Sequence, residues 1–236
     1  MLKITEKENK LISAVIVSAG NSTRMGGINK QFLELDGAPV IVNTITIFQR
    51  CHMIDEIIIV TRESDIDEIA KLVEKNDFYK VSNIVPGGET RQLSVYEGVT
   101  STSNIADLVV IHDGARPLVT VKVIEETIRA AAEYGAAATG VKVKDTVKVV
   151  DDKDNIIDTP NRAYMRFIQT PQVFDKNLYL DAVKNVKNSK DFTDDCKLIE
   201  AYGKTVKFVD GDYENIKITT PEDIDLAESY IKRRRV

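Results

Sequence analysis

The feature that most constrains the fold is an alternation of short, almost wholly apolar segments with longer amphipathic ones. Apolar runs of strand length occur at Ser13–Ala19, Glu56–Thr61, Ser82–Pro86, Asp107–Ile111 and Ala137–Val143. Near-continuous apolar strands are typical of a sheet covered on both faces, and a β-α-β-α order makes that sheet mostly parallel. The sequence therefore predicts an α/β fold with three layers.

The segments between these runs carry apolar residues at helical spacing. In Pro39–Arg50, for example, Ile41, Ile45 and Phe48 fall on one face. A helix is also expected after Gly88. The remaining predicted elements are helices at Asp65–Lys75, Val121–Tyr134, Lys176–Val186, Asp194–Tyr202 and Pro221–Lys232, and a strand at Thr205–Val209.

The pattern changes at about residues 144–168, which we call the arm segment. Two short alternating strands flank the polar turn Asp151–Asn155, as in a β-hairpin. Because an isolated hairpin is only marginally stable, we expect a protruding β-arm that packs on a second subunit. The alternative is an arm that folds back onto its own sheet. We interpret residues 1–236 as a single domain that carries this arm.

Composition excludes several classes of protein. The formal net charge of −5 argues against a nucleic-acid partner. No apolar run approaches the ~18 residues needed for a membrane span, and the charged N-terminus is not a signal peptide. Cys51 and Cys196 have no metal or redox spacing, which favours reduced thiols in a cytoplasmic protein. We interpret the closing IKRRR run as a solvated helix end rather than a basic tail.

Three polar loops follow predicted strands and should meet at one edge of the sheet. The first, Ser18–Gly26, matches neither the G-x-G-x-x-G fingerprint nor a P-loop, so an NAD site is disfavoured. Its small residues allow backbone N–H groups to approach phosphates, and Arg24 adds a planar donor fork. Lys30 lies six residues further on. These features are compatible with a triphosphate site.

The other two loops are Gly87–Ser94 and His112–Pro117. The glycine pair permits close approach of a ligand, although the same residues also suit a strand-to-helix turn capped by Thr90. In the third loop, Asp113 occupies a usual position for holding Mg²⁺ against phosphates. Arg116 could pair with Asp113. We interpret His112 as a packed, hydrogen-bonded histidine.

Taken in order, the blocks TRMGGINKQFLEL, GGETRQLSV, IHDGARP, VKDTVK, QTPQVF and ENIKITTPEDI resemble those of the 2-C-methyl-D-erythritol 4-phosphate cytidylyltransferase family. The match runs from about Ser13 to Ser229. It implies a Rossmann-like nucleotidyltransferase fold, CTP and a polyol phosphate as substrates, Mg²⁺ as cofactor, and a homodimer built through the β-arm.

The resemblance also implies a role for each matched position. Arg24 and Lys30 would neutralise charge that develops on the α-phosphate, and Asp113 would be associated with Mg²⁺. The nucleotide would be bound by Ala19, Gly20, Asn21, Gly87, Gly88, Ser94, Asp113 and Ala115. The substrate side would comprise Thr146, Arg162, Thr170, Thr193 and Lys217. Thr146 and Arg162 would act in the neighbouring subunit's site.

Two positions depart from the family pattern. Ser22 stands where the loop usually has its second glycine, and Asn29 stands where a proline usually precedes the motif lysine. Both changes concern loop geometry, since neither removes a charged residue. The expected reaction is transfer of CMP from CTP to the alcohol phosphate. Two alternatives stay open: a ribitol 5-phosphate cytidylyltransferase, and a non-catalytic nucleotide-binding protein on the same fold.

Overall fold

The computed structural model describes residues 10–20, 29–186 and 192–235. Their strands, in chain order, are β1 (Leu11–Val17), β2 (Glu34–Leu35), β3 (Ala38–Pro39), β4 (Glu56–Thr61), β5 (Val81–Pro86), β6 (Ala106–Asp113), β7 (Ala136–Lys142), β8 (Val149–Val150), β9 (Ile156–Asp158), β10 (Arg166–Asp175) and β11 (Lys207–Asp210). The helices are α1 (Val40–Arg50), α2 (Ile66–Lys75), α3 (Arg91–Thr100), α4 (Val121–Tyr134), α5 (Lys176–Asn185), α6 (Asp195–Ala201) and α7 (Glu222–Arg234). The predicted elements agree with these bounds to within one or two residues, the usual uncertainty of helix and strand ends.

Within the described residues, a seven-stranded sheet has the order β11-β7-β10-β6-β1-β4-β5. Neighbouring strands are parallel, except that β10 runs antiparallel to β6 and β7. The predicted mostly parallel, Rossmann-like α/β fold is therefore confirmed. None of the helices in the described ranges combines the length and the apolar character required to cross a membrane.

Helices cover both faces of the sheet because strands such as β1, β4 and β6 are apolar on both sides. In β1, Ala14 and Ile16 pack on the side of α1, α2 and α4, and Val15 packs on the side of α3, α5 and α6. Side chains on both faces are fully buried, for example Ile16 and Val15. This double burial explains why the strands read as continuous apolar runs rather than as alternating ones.

Strand β10 was missed in the sequence because its middle is polar and contains a proline. Gln172 is nevertheless buried, and its Oε1 accepts a hydrogen bond from the Asp195 backbone N–H at 3.1 Å. Pro171 lies where the pairing with β7 shifts register, between Ile168 and Gln172. A proline, which cannot donate to the ladder, is tolerated at such an irregularity.

The arm segment contains the predicted hairpin, with β8 and β9 antiparallel. The Asp151 carboxylate accepts hydrogen bonds from the backbone N–H groups of Lys153 and Asn155, both at 2.9 Å, which closes the turn. Apolar side chains of this segment are exposed in the single chain, including Ile156 at 62% and Ile157 at 63%.

The closing basic run is the exposed end of α7, as expected from the sequence, but its arginines also form contacts that the sequence did not predict. Arg234 Nε lies 2.8 Å from the Glu214 carboxylate, and Arg234 Nη1 donates to the Leu118 carbonyl at 3.0 Å. Arg233 also pairs with Glu214, and Arg235 pairs with Asp36. These ion pairs attach the end of α7 to neighbouring loops. The sequence could not reveal this because the carboxylates lie about twenty or more residues away in the chain.

Candidate active site

A cleft of about 760 Å³ lies at the carboxyl edge of the sheet. Strands β6, β1, β4 and β5 are adjacent and parallel, so the loops that follow them meet at this edge. The lining residues are Val17, Ser18, Ala19, Gly20, Lys30, Gln31, Arg62, Glu63, Ser64, Gly87, Gly88, Glu89, Thr90, Arg91, Ser94, Asp113, Ala115, Lys217 and Thr219.

Most of the predicted site residues that the structure describes line this cleft. They are Ala19, Gly20, Lys30, Gly87, Gly88, Ser94, Asp113, Ala115 and Lys217. Arg24 and Asn21 lie outside the described residues. Lys30 and Asp113, which are far apart in the chain, are therefore brought to the same cleft.

The remaining predicted residues are elsewhere. Thr170 is buried beneath the cleft, where its hydroxyl accepts a hydrogen bond from the Asp113 backbone N–H at 3.1 Å. Thr146 and Arg162 are exposed on the arm segment, and Thr193 is exposed just before α6. Arg162 Nη1 donates to the Lys144 carbonyl at 2.6 Å, so in this chain it stabilises the arm segment itself. None of these four side chains lines the cleft among the described residues.

The centre of the cleft is a buried carboxylate surrounded by cations. Asp113 lies at the end of β6, and its Oδ2 is 2.8 Å from Lys217 Nζ and 3.5 Å from Arg116 Nε. Its Oδ1 is 3.6 Å from Arg91 Nε. Burial alone raises the pKa of Asp113, but attraction to Lys217, Arg91 and Arg116 outweighs it and holds the pKa well below its usual range. Asp113 is therefore ionised throughout the physiological pH range.

Arg91 connects this cluster to a second buried carboxylate. Its Nη1 lies 2.7 Å from Asp195 Oδ2, and the hydroxyl of Tyr179 donates to Asp195 Oδ1 at 3.0 Å. Burial lowers the pKa of Arg91, but the carboxylates of Asp195 and Asp113 outweigh that effect and raise the pKa above its ordinary value. Two carboxylates thus fix the guanidinium at the first turn of α3.

His112 has the structural role expected from the sequence. Its ring is fully buried, with Nε2 3.2 Å from the Arg116 carbonyl and Nδ1 3.1 Å from Thr170 Oγ1. Burial lowers the pKa of His112 to about 4. A neutral imidazole without access to the cleft cannot act there as a proton acceptor.

The loop after β11 brings Lys217 into the cleft and contacts Lys30. The Ile218 N–H donates to the Ala115 carbonyl at 2.8 Å, which anchors the loop beside the end of β6. The Ile218 carbonyl in turn accepts a hydrogen bond from Lys30 Nζ at 2.9 Å. These contacts hold Lys30 and Lys217 on one side of the cleft, although the chain separates them widely.

The loop Gly87–Ser94 has two roles: it caps the start of α3, and it lets the loop after β1 approach closely. Thr90 Oγ1 accepts a hydrogen bond from the Leu93 N–H at 3.1 Å, so the predicted cap is confirmed. A Cβ built on Gly87 would lie 2.3 Å from the Cβ of Ala19 and 2.8 Å from Ser94 Oγ. Only glycine therefore allows the loops after β1 and β5 to meet.

The sequence analysis missed two residues that line the cleft, Arg91 and Arg62, and the buried Asp195 that pairs with Arg91. Arg91 lay inside a quoted motif, and a signal was available. A basic residue in the first turn of a helix is unfavourable to the helix dipole, so its presence there points to a specific partner. Asp195 gives no comparable signal, because its pairing with Arg91 depends on packing across about a hundred residues of chain.

Comparisons with known proteins cover nearly the whole chain. The family model described as 2-C-methyl-D-erythritol 4-phosphate cytidylyltransferase matches residues 12–233. The protein of that name from Clostridium botulinum strain Langeland is 46% identical over 223 residues, which are 94% of this chain and 97% of the relative. The one from Caldanaerobacter subterraneus subsp. tengcongensis is 48% identical over 225 residues, 94% and 99% of the two chains.

A solved structure agrees. The crystal structure of 4-diphosphocytidyl-2C-methyl-D-erythritol synthase from Anaerococcus prevotii has a TM-score of 0.85 at 40% identity, covering 95% of this chain and 97% of that one. Together with the cleft, these matches show that this chain belongs to the 2-C-methyl-D-erythritol 4-phosphate cytidylyltransferase family.

Proposed function

We propose that this protein transfers CMP from CTP to 2-C-methyl-D-erythritol 4-phosphate, giving 4-diphosphocytidyl-2-C-methyl-D-erythritol and pyrophosphate. The observation that carries this proposal is the convergence of Lys30, Lys217 and Arg91 on one cleft, around the buried carboxylate of Asp113. Such a cleft suits polyanionic substrates, and the chain belongs to a family of cytidylyltransferases.

The reaction joins two phosphate groups that repel each other. An oxygen of the substrate monophosphate forms a bond to the α-phosphorus of CTP. The bond from that phosphorus to the bridging oxygen breaks, and its electron pair leaves with pyrophosphate. The second pKa of a phosphate monoester is about 6, so the nucleophile is largely dianionic at pH 7 and needs no general base. This agrees with a buried, neutral His112.

Catalysis in this scheme consists of positioning and charge neutralisation. Lys30, together with Arg24 of the preceding loop, would neutralise charge that develops on the α-phosphate. Lys217 would bind the phosphate of the alcohol substrate, and Asp113 orients it through the 2.8 Å ion pair. Arg91, fixed by Asp195, keeps the end of β6 and the start of α3 at a constant separation.

The nucleotide would lie over the loops that follow β1, β5 and β6. Backbone groups of Ala19, Gly20 and Asn21 would face the phosphates, and Gly87, Gly88, Ser94 and Ala115 would form the cytidine surface. The support for this placement is that all of these residues except Asn21, which lies outside the described residues, line the cleft.

We include Mg²⁺ as the cofactor, associated with Asp113. Within the described residues, no group of three or more His, Cys, Asp or Glu side chains could hold a metal ion alone. Mg²⁺ is commonly bound by one or two carboxylates together with substrate phosphates, and a lone, ionised Asp113 fits that pattern. When bound, the ion would neutralise charge on the triphosphate. Asp113 already pairs with three cations, so it would have to share its oxygens with the metal.

We further propose that the arm segment forms a homodimer and that Thr146 and Arg162 complete the partner's site on the alcohol side. Thr170 and Thr193 would also lie on that side. The support is the exposure of the apolar arm residues and the position of Thr146 and Arg162 outside the cleft of their own chain. Residues 1–236 would form one domain, with the arm at about 144–168, acting in the cytoplasm.

Complementation between two impaired subunits, assayed at an alcohol phosphate concentration well below the KM of the arm variant, tests the dimeric site. A Lys30→Ala subunit would be mixed with a Thr146→Ala/Arg162→Ala subunit after both are dissociated. If the arm acts across the dimer, each heterodimer contains one intact site. Random pairing then gives about a quarter of wild-type activity, since half of the dimers are mixed and each has one active site of two. Activity that stays at the level of the separate variants would argue that each site lies within one chain.

The activity itself is tested by pyrophosphate release. CTP and Mg²⁺ would be supplied with 2-C-methyl-D-erythritol 4-phosphate, ribitol 5-phosphate or a control polyol phosphate, and the panel repeated with ATP, GTP and UTP. Release with CTP and methylerythritol phosphate is the expected result. Turnover of ribitol 5-phosphate alone would assign the other alcohol, and CTP binding without release for any alcohol would indicate a non-catalytic protein.

A further inference from the structure

We propose that Arg62 is an additional binding residue for the phosphate chain of the nucleotide, an inference that rests on the proposed function. Arg62 follows β4 directly and lines the cleft together with Glu63 and Ser64. Strand β4 lies between β1 and β5 in the sheet. The guanidinium is therefore placed between the loop of Ala19 and Gly20 and the glycine pair after β5.

The side chain of Arg62 is held in a defined orientation. Its Nε lies 2.7 Å from Asp65 Oδ2, and its Nη2 donates to Asp65 Oδ1 at 3.2 Å. Two parallel hydrogen bonds fix the plane of a guanidinium as well as its position. Among the described residues, Nη1 makes no hydrogen bond, and 29% of the side chain is exposed. One edge of the guanidinium is thus occupied by protein while the other is available to a ligand.

The same carboxylate also holds the start of the Lys30 turn. Asn29 Nδ2 donates to Asp65 Oδ2 at 2.8 Å, while Asn29 Oδ1 accepts from the Gln31 N–H at 3.2 Å. Asp65, only 7% exposed, thereby connects Arg62 to the turn that carries Lys30. Asn29 is one of the two departures from the family pattern. Its amide gives a contact to Asp65 that a proline side chain could not make.

The chemistry of the cleft favours a phosphate as the ligand of Arg62. A guanidinium matches the geometry of phosphate oxygens, and a pre-oriented one loses less side-chain entropy on binding. Of the other cations at the cleft, Arg91 and Lys217 already pair with Asp113. Arg62 therefore adds a donor at the end of β4, a different strand from β6, which carries Asp113, and from β5, which precedes Arg91.

Binding measurements on Arg62→Gln test this assignment. Affinities for CTP, pyrophosphate and cytidine would be measured by calorimetry, with Arg129→Gln as the matched control. Arg129 is an ion-paired arginine on the exposed side of α4. We expect Arg62→Gln to weaken CTP and pyrophosphate about five- to tenfold, as for one partly exposed charge-assisted contact, and to leave cytidine within about twofold. Arg129→Gln should change none of the three.

A second variant separates ligand binding from folding. Arg62→Gln leaves Asp65 without its cationic partner, so Arg62→Gln/Asp65→Asn removes both charges. We expect the double variant to keep the weakened pyrophosphate affinity. Wild-type affinity in either variant would overturn the proposal, because Arg62 would then serve only to neutralise Asp65. Equal weakening of cytidine would also overturn it, since Arg62 would then contact the nucleoside. If the proposed function itself were wrong, the wild-type protein would instead release no pyrophosphate in the activity assay.

Discussion

The cleft and the arm segment come from the same chain but differ in how far that chain completes them. In the cleft, Asp113 and Arg91 are held by ion pairs, with Asp195 and His112 buried behind them. In the arm segment, Ile156 and Ile157 point to solvent. One region is already organised for charged ligands, while the other exposes apolar surface that a soluble monomer rarely leaves uncovered.

The difference has a physical cause. The cleft lies where four parallel strands end, so the sheet itself fixes the relative positions of its loops. Within the described part of the chain, the hairpin β8–β9 pairs with no third strand, and the Asp151 turn contributes to its internal order. A two-stranded hairpin needs an apolar surface to pack against, which we propose a second copy of the chain supplies.

The largest effect is expected from Lys30→Ala. Loss of one positioned donor to a developing charge typically lowers kcat by 10²–10³, or ~2.7–4 kcal/mol. CTP affinity should change far less. Lys197→Ala is the matched control, because Lys197 pairs with Glu200 on the exposed face of α6, outside the cleft. Steady-state kinetics measure kcat, and calorimetry measures the affinity for CTP. An unchanged kcat in Lys30→Ala would remove this lysine from the mechanism.

The buried His112 beneath the cleft predicts that the free energy of unfolding depends on pH. Burial lowers the pKa of His112 to about 4, whereas an unfolded histidine titrates near 6.5. Between these values the unfolded state binds the proton and the folded state does not, so stability falls as pH decreases from about 6.5 to 4. The loss at pH 4.5 relative to pH 7 should be about 2–3 kcal/mol.

Denaturant unfolding of His112→Gln at these two pH values checks the origin of that loss. The variant retains hydrogen-bonding groups but does not titrate in this window, so its pH-dependent loss should be smaller than that of the wild type. His52→Gln is the control, because the His52 side chain is 79% exposed. An identical pH dependence in His112→Gln and wild type would show that other groups are responsible.

The arm segment predicts an effect on association rather than on catalysis within a chain. Ile157→Ser should weaken the dimer about 10- to 100-fold, since burial of an isoleucine side chain contributes ~1.5–3 kcal/mol. Ile105→Ser serves as the control, because Ile105 is 74% exposed and precedes β6 at the edge away from the cleft. Sedimentation analysis over a range of protein concentrations measures the dissociation constant. Equal behaviour of the two variants would argue against an interface at the arm.

The smallest of these effects is expected from Arg162→Ala. It should raise the KM for the alcohol phosphate about tenfold, as for loss of one charge-assisted contact, and leave CTP affinity near that of the wild type. Arg50→Ala, at an exposed helix end, is the control. Weakened CTP binding in Arg162→Ala would place the arm near the nucleotide. It would contradict the proposal that the arm binds only the alcohol substrate.

Much of the fold could be predicted from the sequence, because a strand buried on both faces appears as a continuous apolar run. The runs at Glu56–Thr61 and Val121–Tyr134 were predicted with the bounds they have. Strand β10 was not, because Gln172 and Pro171 disguise it, and their burial depends on partners such as Asp195. Similarly, the sequence predicted that Asp113 and Lys30 would share a site, but not that Arg62 would lie beside them.

The sequence by itself determined most strands and helices in their chain order, though not β10, as well as the edge of the sheet at which polar loops gather and the family of the chain. These depend on local periodicity and on motifs that can be recognised one block at a time. Only the tertiary structure decided which polar and charged side chains meet: Arg91 with Asp195, Asn29 with Asp65, and the last arginines with Glu214. An ion pair between residues distant in the chain is set by how the sheet and helices pack, and that packing leaves no trace in the spacing of its two members.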